Sequence, residues 1–207
     1  MKVNIVSRLK GELAKRAAGV YGIGTVTDPY QPVEREYELT RGCLELLKKH
    51  RASVSILTKS DLVLRDMDLI AACNEAEVGI SVGSSDQGVA SMVEPGAPSP
   101  DRRFHALRAL SAAGISTYLM MAPLIPGISD SQENIASVFE QARNASVKRV
   151  IWDKFNSKPI ATSRLKKTLL ARGLIFKPAN SAGDLRALQD IIRRECVKVG
   201  LDLSDAF

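Results

Sequence analysis

Five short apolar runs, each separated from the next by a segment with helical periodicity, constrain the fold of this 207-residue chain most strongly. Apolar runs of this length are typical of strands that are buried on both faces. Strands that alternate with helices form right-handed βαβ units, which build a parallel sheet or an open barrel. The sequence therefore predicts an α/β fold, with strands at residues 20–26, 53–58, 77–82, 115–122 and 148–152.

Helix signals occupy the intervals between these runs. Ser99 followed by Pro100 is typical of a helix start, because the serine caps the first turn and proline is tolerated at its first position. Asp130 and Glu133 have the spacing of a capping box. Further helices are predicted at residues 4–18, 131–143, 160–172 and 183–199.

The chain is long enough to bury the core of one domain, so we expect residues 1–207 to fold as a unit. Within it, residues 1–152 predict an incomplete parallel βα barrel. Residues 153–207 predict a helical C-terminal extension, whose part beyond residue 173 resembles no familiar pattern.

A polar loop follows the first apolar run and gathers five candidate binding residues, Thr27, Asp28, Tyr30, Gln31 and Glu34. Loops at the carboxyl ends of parallel strands hold the ligands of most α/β proteins. Donors and acceptors at such a position suit an amine or hydroxyl of a bound molecule. The alternative is structural: an Asp-Pro turn, with Glu34 placed at the N-terminus of a helix.

Several blocks of the sequence resemble one family, the radical-SAM "DNA repair photolyase" group, which is related to spore photoproduct lyase. The blocks occur in the family's order and read TVTDPYQPVERE, then Thr40-Arg41, ILTKSDLVLRDMDLI, VEPGAPSPDRR and APLIPGISD. The resemblance implies an incomplete parallel barrel of radical-SAM type, with about five to six strands, and S-adenosylmethionine as a cofactor. It also implies a [4Fe–4S] cluster on a C-x-x-x-C-x-x-C motif. We expect that motif upstream of Lys2-Val3-Asn4, so its ligands are absent from this sequence.

The resemblance also implies roles for individual residues. The loop at 27–34 would hold the amino group of S-adenosylmethionine. Lys59 would contact its carboxylate, and Ser81 its ribose. Glu94 and Arg103 would support the pocket. Pro126, with Pro123 and Gly127, would pack beside the adenine.

Two of these residues have structural alternatives. Lys59 follows an apolar run and could pair with Asp61 or Asp66 instead of a ligand. Glu94 with Arg102-Arg103 could form a salt bridge that fixes its own loop, which is the interpretation that we favour.

The sequence contains no pattern of a metal centre or a nucleophile. Cys43, Cys73 and Cys196 are far apart in sequence, whereas an iron–sulfur cluster needs converging thiolates. The odd, scattered set favours reduced thiols, and hence a cytoplasmic location. His50 and His105 are also distant from each other. We therefore assign no metal ligand and no catalytic residue.

The chain is basic, with a net charge of +6 and a pI near 9.3. Clusters at residues 48–51, 164–167 and 193–194 lie on predicted helices, where such clusters usually face solvent. They permit contact with nucleic acid without establishing it. No apolar run approaches the ~20 residues that a membrane helix needs, so we predict no membrane partner.

These features leave two functions open. One is a radical-SAM-like, lyase-related domain that keeps parts of the S-adenosylmethionine pocket and is inactive without a cluster segment. The other is a non-catalytic module for nucleic acid or protein, or a truncated fragment of a complete enzyme. In the resembled family a further strand precedes the cluster loop, and we expect that strand to be missing here as well. The strand at 20–26 would therefore lack a neighbour on one side. We expect self-association or a partner chain there, or coverage by residues 4–18 or by the tail after Gly173.

Overall fold

A computed structural model describes residues 4–15, 19–156, 158–173 and 181–205. Six parallel strands form one sheet in sequential order, each hydrogen-bonded to the next. Within the described residues β1 and β6 are the sheet's edges, so the barrel is open. The strands are β1 (Val20–Ile23), β2 (Ser53–Thr58), β3 (Ala76–Ser81), β4 (Ser116–Leu124), β5 (Arg149–Lys154) and β6 (Asp202–Asp205). The predicted fold class is confirmed.

Helices connect successive strands. They are α1 (Ile5–Leu13), α2 (Glu34–Tyr37), α3 (Leu39–Lys49), α4 (Met67–Ile70), α5 (Gln87–Val93), α6 (Pro100–Ala112), α7 (Gln132–Asn144), α8 (Pro159–Leu170) and α9 (Ala182–Val199), with a 3₁₀ helix at Asp61–Asp66. No helix in the described part of the chain is both long and apolar enough to cross a bilayer. Of the predicted helix at 4–18, residues 16–18 lie outside the described part, as do residues 174–180 of the tail.

The five predicted strands are present, but the ends of the sheet differ from the prediction. β1 stops at Ile23, because Gly24 adopts a φ of 99° and the chain turns into the loop. β6 continues the sheet beside β5, so residues 153–207 contain a strand in addition to the predicted helices. The predicted boundary at 152 also falls inside β5. β6 contains two aspartates and has no apolar run, which is why its sequence does not signal a strand.

The core lies between the sheet and the helices on its outer face. β2 alternates half-buried and buried residues, as expected when one face packs on helices and the other lines the barrel. The strand residues without exposed surface include Ile56, Val78, Ile80, Leu119, Met121 and Val150. They pack in the same cluster as apolar side chains of α3, α6, α7 and α9.

The inner face of the sheet is partly filled at its middle strands. Tyr118 crosses Gly79 so closely that a Cβ at residue 79 would overlap the tyrosine ring. The Arg149 guanidinium lies 4.9 Å from the centre of that ring and pairs with Glu77. These side chains lie toward the amino ends of the strands, whereas a cleft lies at the carboxyl ends of β2 to β5.

Of the two helix caps predicted from the sequence, the structure contains one. The Ser99 side chain accepts a hydrogen bond from the Arg102 N–H, as a capping serine should. For α7 the cap is Ser131, which accepts from the Asn134 N–H, whereas Asp130 accepts from the Gly127 N–H. The predicted Asp130 capping box was therefore wrong.

The leading helix has a packing site of its own on α3. A Cβ on Gly42 of α3 would lie 3.2 Å from a Val6 methyl of α1, so glycine permits this close approach. Val20 remains 69% exposed, and within the described residues β1 pairs with β2 alone. The predicted open edge at the first strand is therefore present in the described part of the chain, and its occupant stays a prediction.

Candidate functional site

Two clefts open beside the polar loops that follow the strands. The edge cleft, of about 630 Å³, lies between α1, β1 and α3, and its lining includes Thr27, Asp28, Gln31 and Glu34. The strand-end cleft, of about 670 Å³, is lined by residues that follow β2, β3, β4 and β5. The structure therefore divides the predicted site between two places.

Asp28 uses its carboxylate to join the loop after β1 to the end of β2. Oδ1 accepts from the Thr58 hydroxyl at 2.6 Å and from the Tyr30 N–H at 2.9 Å. Oδ2 accepts from the Lys59 N–H at 2.7 Å. Three bonds within the chain engage both oxygens, so this side chain holds the loop in place, in agreement with the structural alternative.

Glu34 is likewise occupied by the protein. Its Oε1 accepts from the Thr40 N–H at 2.8 Å and from an Arg65 Nη at 3.1 Å. Arg65 also donates through Nε and Nη2 to Asp66, each at 2.8 Å, and Arg41 reaches the same carboxylate at 2.8 Å. Asp66 has no exposed surface. This cluster, which we call the arginine clamp, fixes the β1 loop and α3 to the 3₁₀ helix.

The remaining residues of the β1 loop differ in their exposure. Tyr30 is buried, and burial followed by the nearby Asp66 carboxylate raises the pKa of its phenol. It is therefore a neutral core residue at ordinary pH. Thr27 and Gln31 are exposed, and the Gln31 amide donates to the Asp28 carbonyl at 3.3 Å. Among the predicted loop residues, Thr27 and Gln31 have the most accessible side chains.

Lys59, Glu94 and Arg103 form a linked group at the mouth of the strand-end cleft. Glu94 lies 2.6 Å from an Arg103 Nη and 3.5 Å from Lys59 Nζ. Arg103 is buried and also donates to the carbonyls of Ser81 and Pro98. The loop-fixing salt bridge is therefore present between Glu94 and Arg103.

The other predicted pairings in this region were wrong. Arg102 bonds Asp61 at 2.6 Å and takes no part in the Glu94 pair. The alternative partners of Lys59 are also engaged elsewhere, since Asp66 belongs to the arginine clamp. The reason is long-range geometry: α6 passes the 3₁₀ helix, and the loop after α5 lies above the end of β2.

Ser81 and Pro126 lie near this region but have structural contacts. The Ser81 hydroxyl donates to the Ala122 carbonyl at 2.9 Å, which joins the ends of β3 and β4. Pro126 is buried in a turn closed by Ile125, whose carbonyl accepts from the N–H groups of Ile128 and Ser129. Pro123 and Ile125, rather than Pro126, line the strand-end cleft.

The strand-end cleft has an apolar wall and a basic rim. Met92, Ile125 and Phe155 supply apolar lining, together with prolines of the neighbouring loops. Lys158 and Arg164 supply cations from the start and the middle of α8. The sequence indicated a helix here but gave no sign that it borders Lys59. The composition does mark the segment as basic, because residues 154–173 contain six cations and no carboxylate.

The thiols do not fit an iron–sulfur cluster. Cys43 lies on α3, Cys196 on α9 and Cys73 after α4, and all three are free. Burial raises the pKa of Cys43 to about 11 and that of Cys196 to about 12, which disfavours the thiolate form that binds iron. Among the described residues no group of three His, Cys, Asp or Glu could hold a metal ion.

The linings of the two clefts differ in their chemistry. The strand-end cleft combines the apolar side chains of Met92, Ile125 and Phe155 with a cation, Lys59, and a carboxylate, Glu94. Glu94 is held by Arg103 through Oε2, and its Oε1 lies 3.5 Å from Lys59 Nζ. In the edge cleft the carboxylates of Asp28 and Glu34 accept hydrogen bonds from the chain's own groups.

The comparisons with known proteins agree with the fold. A spore photoproduct lyase complexed with dinucleoside spore photoproduct superposes with a TM-score of 0.72 at 16% identity, over 98% of this chain and 66% of that chain. Streptococcus suis SuiB bound to S-adenosylmethionine gives 0.68 at 13% identity, over 99% of this chain and 42% of that one. Both are radical-SAM enzymes. The chain has the radical-SAM partial-barrel fold.

Sequence comparison gives relatives but no function. An uncharacterized protein of Methanocaldococcus jannaschii is 38% identical over 130 residues, which is 63% of this chain and 49% of that protein. No protein-family model matches the chain. The chain spans about half the length of the curated relatives it matches.

Proposed function

We propose that this chain is the partial-barrel domain of a radical-SAM protein and that it binds S-adenosylmethionine in the strand-end cleft. The observation that carries the proposal is the position of this cleft. It lies at the carboxyl ends of β2 to β5, where parallel α/β sheets bind ligands, in a fold shared with radical-SAM enzymes. SuiB, one of those enzymes, has S-adenosylmethionine bound.

Lys59 and Glu94 are the residues that we assign to the amino acid end of the ligand. The Lys59 side chain is 38% exposed and reaches Glu94 at 3.5 Å, so it can turn to a carboxylate at little cost. Glu94 remains fixed by Arg103 and can accept from an ammonium group. Met92, Ile125 and Phe155 would pack beside the adenine.

In radical-SAM enzymes S-adenosylmethionine supplies the radical that starts the reaction. The described residues of this chain would bind and orient it and would exclude water from the apolar wall. Because its three thiols do not fit a cluster, we propose radical-SAM catalysis only for a protein in which another segment carries the cluster. This chain by itself should be inactive.

Calorimetric titration with S-adenosylmethionine tests the site. We expect weak binding, which Lys59→Ala reduces by about tenfold through loss of one charge-assisted contact. Lys48→Ala removes the same charge from an exposed site on α3 and should leave the affinity unchanged. Equal affinities of wild type, Lys59→Ala and Lys48→Ala would show that the ligand binds elsewhere.

The second candidate, a non-catalytic binding module or a fragment, is favoured by the dispersed thiols. Anaerobic reconstitution with iron and sulfide separates it from a self-sufficient enzyme. We expect no stable [4Fe–4S] cluster on this chain, because three thiolates cannot converge. Stoichiometric iron with a cluster-type electron paramagnetic resonance signal after reduction would overturn two hypotheses: that the chain is a non-catalytic module, and that its catalysis depends on another segment.

A further inference from the structure

The positive charge of this chain is concentrated beside the strand-end cleft. Residues 154–173 contain four lysines, two arginines and no acidic residue, and the net charge of the entire sequence is +6. The rest of the chain therefore has as many cations as carboxylates. All six of these cations are exposed: Lys154, Lys158, Arg164, Lys166, Lys167 and Arg172.

These cations differ from the arginines that fix the loops of the two clefts. Arg41, Arg65 and Arg103 are held by carboxylates. No ion pair among the described residues involves Lys154, Lys158, Arg164, Lys167 or Arg172. An unneutralised row of cations attracts a polyanion, and releasing the polyanion's counterions favours binding.

The packing of α8 on the protein determines where these cations lie. Leu165 and Leu169 are buried in a small apolar cluster with Met92 and Ile125, separate from the main core. The helix is thereby anchored on the strand-end cleft by its apolar face. Lys158 and Arg164 line the cleft itself, so the basic row begins at the cleft mouth and runs along the helix.

We propose that Lys158, Arg164 and Lys167 of α8, with Lys154 before the helix and Arg172 after it, bind the phosphodiester backbone of a single-stranded nucleic acid at the mouth of the strand-end cleft. Twelve residues of α-helix are about 18 Å long, which is enough for several consecutive phosphates. This binding does not depend on S-adenosylmethionine.

A lipid surface is a poorer fit, because an interfacial helix must bury a broad apolar face in the bilayer. In α8, Leu165 and Leu169 are packed against the protein, and the exposed large apolar side chains are Ile160 and Leu170, which stand among the cations.

The test uses fluorescence anisotropy of a fluorescein-labelled oligothymidylate, titrated with the full chain at several salt concentrations. The α8 variant carries Lys158→Gln, Arg164→Gln and Lys167→Gln. The matched control carries Lys10→Gln, Lys48→Gln and Lys49→Gln, which removes the same charge from exposed positions. These lie in the last turns of α1 and α3, and α3 ends just before β2 begins, at the opposite end of the sheet.

Each lost phosphate contact removes about 0.7 from the slope of log affinity against log salt. We expect the α8 variant to lose about 2 in slope and about 100-fold in affinity near 0.1 M salt, and the control to bind like the wild type. Equal losses in both variants, binding independent of salt, or no binding by the wild type would overturn the proposal. So would binding to phosphatidylserine vesicles that the α8 variant loses, without binding to the oligonucleotide.

Discussion

The edge cleft and the strand-end cleft are similar in size, but their polar side chains differ in whether the protein itself uses them. Around the edge cleft, Asp28 and Glu34 accept hydrogen bonds from the chain's own groups, and the Asp66 carboxylate of the arginine clamp is fully buried. Around the strand-end cleft, Lys158 and Arg164 have no carboxylate partner among the described residues. Polar residues near a strand end are thus candidates for ligand contact where the described part of the protein leaves them unpaired, as it does Lys158 and Arg164, or pairs them loosely, as it does Lys59.

The arginine clamp should give the largest effect if this comparison is correct. Asp66→Asn leaves two arginines facing a neutral amide inside the protein, which should lower the free energy of unfolding by about 3 kcal/mol. Urea denaturation measures this change. Asp190→Asn, at an exposed position on α9, should change it by less than about 0.5 kcal/mol. An Asp66→Asn protein as stable as Asp190→Asn would refute the structural role of the clamp.

Asp28 and Lys59 are adjacent in space but should behave differently. Asp28→Ala removes the acceptor of three hydrogen bonds, and we expect a loss of about 2 kcal/mol in the free energy of unfolding. Lys59→Ala should change stability by less than about 0.5 kcal/mol, because the 3.5 Å pair is long, the Lys59 side chain is partly exposed and Glu94 keeps its bond to Arg103. If Asp28→Ala is as stable as the wild type and abolishes S-adenosylmethionine binding, Asp28 is a ligand after all.

The open edge of β1 offers backbone groups and apolar surface rather than free charges. We propose that it pairs with a second copy of the chain, because an unpaired strand edge templates association. Val20→Lys adds a charge at an exposed edge residue and should shift the protein to monomer in light scattering after size exclusion. Val197→Lys, at an 80% exposed position on α9, should not. A wild-type protein that is monomeric at high concentration would contradict this proposal.

Local features of the sequence predicted local structure well. The strand at 53–58, the Ser99 cap of α6 and the Asp-Pro turn are all present, and in that turn the Tyr30 N–H bonds the Asp28 carboxylate two residues away. Each depends on residues within a few positions of one another. β6 was missed because its pairing with β5 gives it strand structure that its own polar sequence does not indicate.

The site could be predicted only in part, because its contacts join distant segments. Arg41 meets Asp66 across 25 positions, and Lys59 meets Glu94 rather than either nearby aspartate. Sequence periodicity reports which face of a helix is buried, but not which strand end it covers. The basic segment at 154–173 was visible in the composition, whereas its location at the cleft mouth depends on how α8 packs on Met92 and Ile125.

Amide chemical-shift mapping with ¹⁵N-labelled chain at millimolar S-adenosylmethionine tests the central claim most directly. It reports on both clefts in one sample and does not require tight binding. We predict that the perturbed amides cluster at Lys59, at Met92–Glu94 and along 155–168. Perturbations confined to 22–34 and α3, with the 155–168 amides unchanged, would contradict the claim that the strand-end cleft is the binding site.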